Sequence, residues 1–380
     1  MELIQRKHCV ISGKNDIELL YSFKKFPVYM GVTDEPIEND ILEDMNWGIS
    51  KNSGVIQLMN LVPESVVYQA SHGSGSIGET WAAHHRQFAD FIYEFHPKNV
   101  LEIGGGHGML AKNYKEKIEW TILEPNPSPV EGTPAKYIKG FFDSNFKNGG
   151  NYNCFIHSHT FEHMYEPMKF MESVSEFLSD GDFQFFSLPN FAKWLENKAA
   201  TCTCFEHTVL LTEPYIDYIL ECNKFRILKK QYFRDHSVFY AAVKDSSVKT
   251  SYSINTINMD EEYANNKNQF LSYISYYESV LKDLNNKLAS HEGKQYIFGA
   301  HIFTQILVNL GLNTKKILGV LDNDVKKQGK RLYGTNLKVF SPRILKEEMQ
   351  PAVVLKCGAY SKEIKQDILQ NINCNTVFFE

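Results

Sequence analysis

Residues 99–108 read Asn-Val-Leu-Glu-Ile-Gly-Gly-Gly-His-Gly, a short apolar run that enters a glycine-dense turn. An acidic residue, Glu102, is followed by Gly104, Gly106 and Gly108 at every second position. Glycines there let the backbone approach a ligand with no Cβ in the way and permit positive φ in the turn. A dinucleotide loop of the form Gly-x-Gly-x-x-Gly would need glycine at 109, where the chain has Met109. Further on, Trp120-Thr-Ile-Leu-Glu124 is a second apolar run ending in a carboxylate, followed by Pro125. A carboxylate at that place in a doubly wound sheet accepts the two hydroxyls of a ribose. Together these residues point to an adenosine-bearing ligand.

Acid–base chemistry needs a group that titrates near neutral pH, and histidine does so from a reference value near 6.5. His159 and His163 lie in Ser158-His-Thr-Phe-Glu-His163, just after the fourth predicted strand of a repeating sheet. That is the carboxyl edge, where doubly wound folds hold ligands. His207 follows Glu206 in Phe205-Glu-His207. Neighbours on a regular strand point to opposite faces, so Glu206 and His207 serve one site only if this segment is a loop. His107, inside the glycine turn, reads as a loop residue without chemistry.

The elements that must position these groups alternate. Strands are predicted at 99–103, 119–123, 136–138, 153–157 and 183–187, with helices over 79–95, 109–117 and 167–178. Runs 225–232 and 237–243 read as a closing antiparallel pair. The fold class is α/β: a central Rossmann-like sheet with a small N-terminal lobe and a second, C-terminal Rossmann-like domain. The expected organisation is a lobe at 1–70, the main domain at 71–258, a bridging helix at 259–292 and the last domain at 293–380. The helix carries Tyr263, Phe270, Ile274, Tyr277, Leu281, Leu284 and Leu288 at three- and four-residue spacing. A small-residue loop, 73–78, precedes the first long helix, and the lobe shows short β-like runs at 9–12 and 55–61. In the last domain the turn after 295–298 has one glycine, Gly299, which argues against a second full cofactor site. Lys326, Lys327, Lys330 and Arg331 form a basic cluster that reads equally as a diphosphate site or a solvated loop.

A chain of 380 residues is too long for one comfortable core. A net charge of −5 gives no general attraction to phosphate backbones, so nucleic acid is not an expected partner. No run approaches the ~20 apolar residues of a membrane span. The start lacks the apolar core of a signal peptide, and seven scattered cysteines fit reduced thiols in the cytoplasm better than a disulfide framework.

The acidic-x-Gly-x-Gly-x-Gly run resembles the first motif of class I S-adenosylmethionine (SAM) methyltransferases. The order of parts along the whole chain is similar to the sugar C-methyltransferases that act on nucleotide-linked ketosugars. The residues that carry the likeness are Ser74–His84, 100–108, Leu123-Glu-Pro125, Phe141-Phe142, Phe205-Glu-His207, Gly299-Ala300 and 327–335. The resemblance implies SAM as cofactor, held by Glu102, Gly104, Gly106, Gly108, Glu124 and Pro125, with His159 lining its pocket. It implies a small-molecule acceptor, a nucleotide-linked sugar, with His207 as base, Glu206 orienting a histidine or binding a sugar hydroxyl, and His163 polarising the keto oxygen. Oligomeric state is left open.

Two departures qualify it. The family's zinc-binding Cys-x-x-Cys pairs are matched here by Cys9-x-x-Ser12 and Ser50-x-x-Ser53, and serine is a poor zinc ligand, so no bound metal is expected. The family's Tyr-His before Glu-His is Cys204-Phe205, which leaves O-methylation, or a non-catalytic SAM-binding subunit, as alternatives. Asp235-His236 stands where the family has His-Gly-Gly-Ser and is a candidate for substrate contact.

Overall fold

A computed structural model describes residues 1–68, 78–143, 146, 151–249 and 259–380. The expected loop at 73–77 and the Ser74–Ile77 part of the likeness lie outside the described residues. The chain divides into two compact units, each assembled from three segments. The first comprises Met1–Glu18, Gly48–Trp194 and Glu206–Asn266; the second comprises Leu19–Trp47, Leu195–Phe205 and Lys267–Glu380.

The first unit is organised by a seven-stranded sheet. Its strands are β1 (Asn99–Ile103), β2 (Glu119–Glu124), β3 (Lys136–Lys139), β4 (Cys154–Ser158), β5 (Phe183–Pro189), β6 (Phe225–Phe233) and β7 (Ser237–Lys244). The order across the sheet is β3-β2-β1-β4-β5-β7-β6. Pairs from β3 through β5 are parallel, and β7 runs antiparallel to both its neighbours. The central strands β1 and β4 are nearly all buried because both faces are covered. One face packs under α1 (Glu79–Tyr93) with Phe88, Phe91 and Ile92; the other under α2 (Pro167–Phe177) and α3 (Glu213–Cys222) with Met171, Val174, Ile216 and Ile219. Chain order reverses between β1 and β4. That reversal opens a crevice at their carboxyl ends, the place where such sheets hold ligands.

The expected strands of this sheet are present with ends shifted by at most two residues, whereas the helix expected over 109–117 is shorter, Met109–Asn113. Residues 9–12 are not a strand but a turn: Gly13 N–H donates to Cys9 O at 2.8 Å and Cys9 N–H to Lys14 O at 2.9 Å. The Cys9 thiol and Ser53 hydroxyl lie 3.1 Å apart, Ser12 N–H donates to Cys9 Sγ at 3.3 Å, and Ser53 N–H to Ser50 Oγ at 3.1 Å. The four positions that resemble a zinc knuckle therefore meet in space through thiol and hydroxyl hydrogen bonds.

In the second unit, parallel strands Gln295–Phe298, Ile317–Leu321, Val339–Phe340, Ala352–Val354 and Val377–Phe379 form a five-stranded sheet. The helix Met259–Ser290 buries Phe270, Ile274, Tyr277, Leu281, Leu284 and Leu288, the stripe read from their spacing. The basic cluster of this unit is largely spent. Arg331 holds Asp40 through two bonds, Nη1–Oδ2 at 2.6 Å and Nη2–Oδ1 at 2.7 Å, while Lys330 pairs with Asp34 and Lys327 with Asp322. Asp322 also accepts the Ala300 amide at 2.9 Å, so it fixes the turn after Gly299. Among the described residues no helix is long and apolar enough to cross a membrane.

Candidate active site

The glycine turn leaves β1 with Gly104 at φ +73 and closes with Gly108 at φ +69, backbone that a side chain rarely adopts. Between them, a Cβ on Gly105 would fall 2.5 Å from both the carboxyl carbon and Oε1 of Glu102. Glu102 lies beneath the turn, 3% exposed, and accepts the Trp120 indole N–H at 2.7 Å. Burial lifts its pKa to about 7, against the Trp120 hydrogen bond, with Glu124 raising it further. Glu102 is thus placed as a support for the loop's backbone, beside the glycines rather than over them. Gly105 was not among the residues singled out from spacing; its requirement comes from the carboxylate packed under it.

Glu124 ends β2 half-buried, and its Oε1 accepts the Asn126 amide at 2.9 Å. A Cβ on Gly106 would stand 3.6 Å from Glu124 Oε2, so glycine keeps the approach to that oxygen open. The segment after Pro125 is laced to the turn: Ser128 N–H donates to Gly106 O at 3.0 Å, and Val130 N–H to His107 O at 3.1 Å. His107 Nδ1 is 2.7 Å from Ser128 O, which accounts for that histidine structurally.

Past β4 the chain carries His159 at φ +50 and then turns through Phe161–His163. His159 Nε2 lies 2.8 Å from Ser237 Oγ, and the same hydroxyl is 2.6 Å from His236 Nδ1. Trp81 and His84 of α1 pack edge-on against His159, with ring centroids 4.8 and 5.2 Å away. Burial holds His159 and His236 down to about 3; neighbouring His207 and His85 add to the effect on His159, and His159 and Arg234 to that on His236. Both imidazoles are therefore neutral at physiological pH. Spacing alone did not single out Trp81 or His84 for this cluster, although both lie in the segment that carried the family likeness.

His163 and His207 face one another with ring centroids 5.4 Å apart. The Tyr68 hydroxyl is 3.0 Å from His163 Nδ1. His207, 9% exposed, packs against Phe191 and Trp194 at 5.5 and 6.1 Å. Glu206 and His207 lie in an irregular segment, so the alternation rule of a strand does not separate them. That segment is tied to the turn after β4: Thr208 N–H donates to Glu162 O at 2.9 Å and Thr208 Oγ1 to Met164 O at 2.6 Å. The structure thus brings together His163, His207 and Glu162, the last of which the spacing did not flag.

An open glycine turn, a carboxylate ending the adjacent strand and a histidine pair at the same sheet edge form the frame for comparison with known proteins. Residues 79–230 match the family model described as a methyltransferase domain. This chain carries a methyltransferase domain at those residues. No curated protein matches it in sequence. Among solved structures, the methyltransferase is similar to the 1,6-didemethyltoxoflavin-N1-methyltransferase of Burkholderia thailandensis, crystallised with 1,6-didemethyltoxoflavin and S-adenosylhomocysteine. Identity is 14% and TM-score 0.35 over 44% of this chain and 82% of that one. It is similar to the magnesium protoporphyrin IX methyltransferase of Synechocystis with bound S-adenosylhomocysteine, at 14% identity and TM-score 0.34 over 45% and 89%. A possible histamine N-methyltransferase of Thermotoga maritima stands at 15% identity and TM-score 0.34 over 44% and 94%. The side-chain-free approach over Gly106 and the carboxylate of Glu124 have the chemistry that the adenosine of SAM, the cofactor expected from the glycine-turn motif, would need.

Proposed function

We propose that this methyltransferase acts on a sugar, a nucleotide-linked ketosugar methylated at carbon next to its carbonyl. Bound SAM supplies an electrophilic methyl group. Gly104, Gly106, Gly108, Glu124 and Pro125 hold it, with Glu102 bracing the turn from below and His159 lining the pocket. The chain's own task is to hold the acceptor in line and to take its proton, and alignment supplies a large share of the rate. His207 accepts the proton from the carbon, Glu206 orients an imidazole or a sugar hydroxyl, and His163 donates to the carbonyl oxygen as negative charge builds there.

The observation that carries this reading is the pairing of His163 with His207, 5.4 Å between ring centroids, at the carboxyl edge of the sheet. The sugar as acceptor is supported by the likeness of Phe205-Glu-His207 and 327–335 to the sugar C-methyltransferases. The experiment is turnover of nucleotide-linked ketosugars in deuterium oxide with wild type and His207→Ala. Exchange of the proton next to the carbonyl, with turnover down about 100-fold or more in the variant and SAM binding intact, is the expected result. Methyl transfer without exchange would move the acceptor atom to oxygen. SAM binding with no turnover of any sugar nucleotide would reduce the chain to a binding subunit.

A further inference from the structure

Glu162 is fully buried, and neither of its carboxylate oxygens receives a hydrogen bond from another residue. A carboxylate taken out of water without donors is costly and calls for a cation. Two imidazoles lie beside it: Oε1 is 3.4 Å from His159 Nδ1 and 3.8 Å from His163 Nε2. One donor atom each from Glu162, His163 and His207 lie within 4.8 Å of one another. Two imidazole nitrogens and one carboxylate oxygen are a donor set that divalent first-row metal ions take, leaving coordination positions open.

The surroundings of His163 agree. Tyr68 Oη lies 3.0 Å from Nδ1 and Nε2 is the ring nitrogen that faces Glu162, so the tautomer in which Nδ1 donates to the phenol oxygen would offer the Nε2 lone pair to an ion. Metal-binding histidines carry such an outer partner on the nitrogen away from the ion. The Thr208 bonds to Glu162 O and Met164 O fix the backbone that brings His207 to the other two ligands.

We propose that Glu162, His163 and His207 bind a divalent transition-metal ion of the zinc, cobalt, iron or manganese class, with an open position for an acceptor oxygen. Bonds of about 2.0–2.2 Å would require these donor atoms, now within 4.8 Å of one another, to draw closer on binding. Binding of the ion is independent of the sugar reading. An imidazole nitrogen that ligates the ion cannot take a proton at the same atom, so the metal-bound form, with His207 as ligand, is an alternative to the form in which His207 is the base. The proposal departs from the expectation of no bound metal, which weighed the N-terminal Cys and Ser positions.

The test is titration of chelator-treated full-length protein with Co2+, followed by its visible d–d absorption and by calorimetry. One equivalent is expected to bind and to be displaced by Zn2+. Glu162→Gln and His163→Ala should each weaken binding at least 10-fold, and Tyr68→Phe by about 10-fold, while S-adenosylhomocysteine binding reports that each variant is folded. No Co2+ binding, or binding that Glu162→Gln and His163→Ala leave unchanged in folded protein, would overturn the proposal. Turnover and proton exchange by the chelator-treated enzyme test the sugar reading separately, so the two can fail independently.

Discussion

Replacing Gly105 by alanine tests the glycine turn where backbone strain plays no part, because only Gly104 and Gly108 of the turn have positive φ. The new methyl carbon would be placed 2.5 Å from the Glu102 carboxyl, far inside contact distance. Glu102 has little room to yield, being 3% exposed and held by the Trp120 indole at 2.7 Å. Either the turn lifts or Glu102 swings away and leaves a buried indole N–H without an acceptor. Loss of that hydrogen bond and the orphaned donor together cost about 2–5 kcal/mol. S-adenosylhomocysteine calorimetry should then show at least a 10-fold weaker Kd, with a lower melting temperature. Glu102→Ala alone also destabilises by orphaning Trp120, but it removes the obstacle to the alanine methyl. The double variant Glu102→Ala/Gly105→Ala should therefore be better than the sum of the singles by about 1 kcal/mol or more. Wild-type affinity and melting of Gly105→Ala, or strict additivity in the cycle, would refute the account of Glu102 as the brace under the turn.

Three further outcomes are expected. Glu124→Ala should weaken S-adenosylhomocysteine binding by about 10–100-fold in calorimetry while leaving the melting temperature of the free protein nearly unchanged. Stability should fall as pH drops from 7 to 5: His157, His159 and His236 are held by burial at about 3, so between that value and 6.5 the unfolded chain binds more protons. Each imidazole then removes about 2 kcal/mol by pH 5, while Glu102 and Glu162, raised by burial, act in the opposite sense; melting temperature against pH reads the net slope. Asp40→Ala strands Arg331, whose side chain is 14% exposed, and should destabilise the second unit by about 3–5 kcal/mol in a thermal melt, with Lys330→Ala nearly neutral.

What could be read from sequence follows from how local each signal is. Strands β1, β2, β4 and β5 are short apolar runs bounded by turns, and the stripe from Phe270 to Leu288 repeats on one helix face; neighbouring residues decide both. The long strands Ile17–Pro27 and Leu42–Ser50 went unread because Lys24-Lys25 and Glu43-Asp44 interrupt their apolar pattern, and cross-strand pairing of Lys24 with Asp44 is invisible along the chain. The basic run 326–331 could not reveal that Asp34 and Asp40 already neutralise it, since those partners lie almost 300 residues away. At the site, Gly104, Gly106 and Gly108 stood out by spacing, whereas Gly105 depends on where Glu102 points. Glu162 sits beside a flagged histidine, but its meaning comes from His207, which only the fold brings near.

The three hydrogen bonds that Thr208 makes to the turn after β4 act as a clasp between segments 44 residues or more apart in the chain. The backbones beneath the two imidazoles are thereby coupled, and only side-chain torsions are left to set the gap between the rings. What such a site accepts is then decided at the rings themselves, so altering its preference would call for substitutions there rather than in the loops that join them.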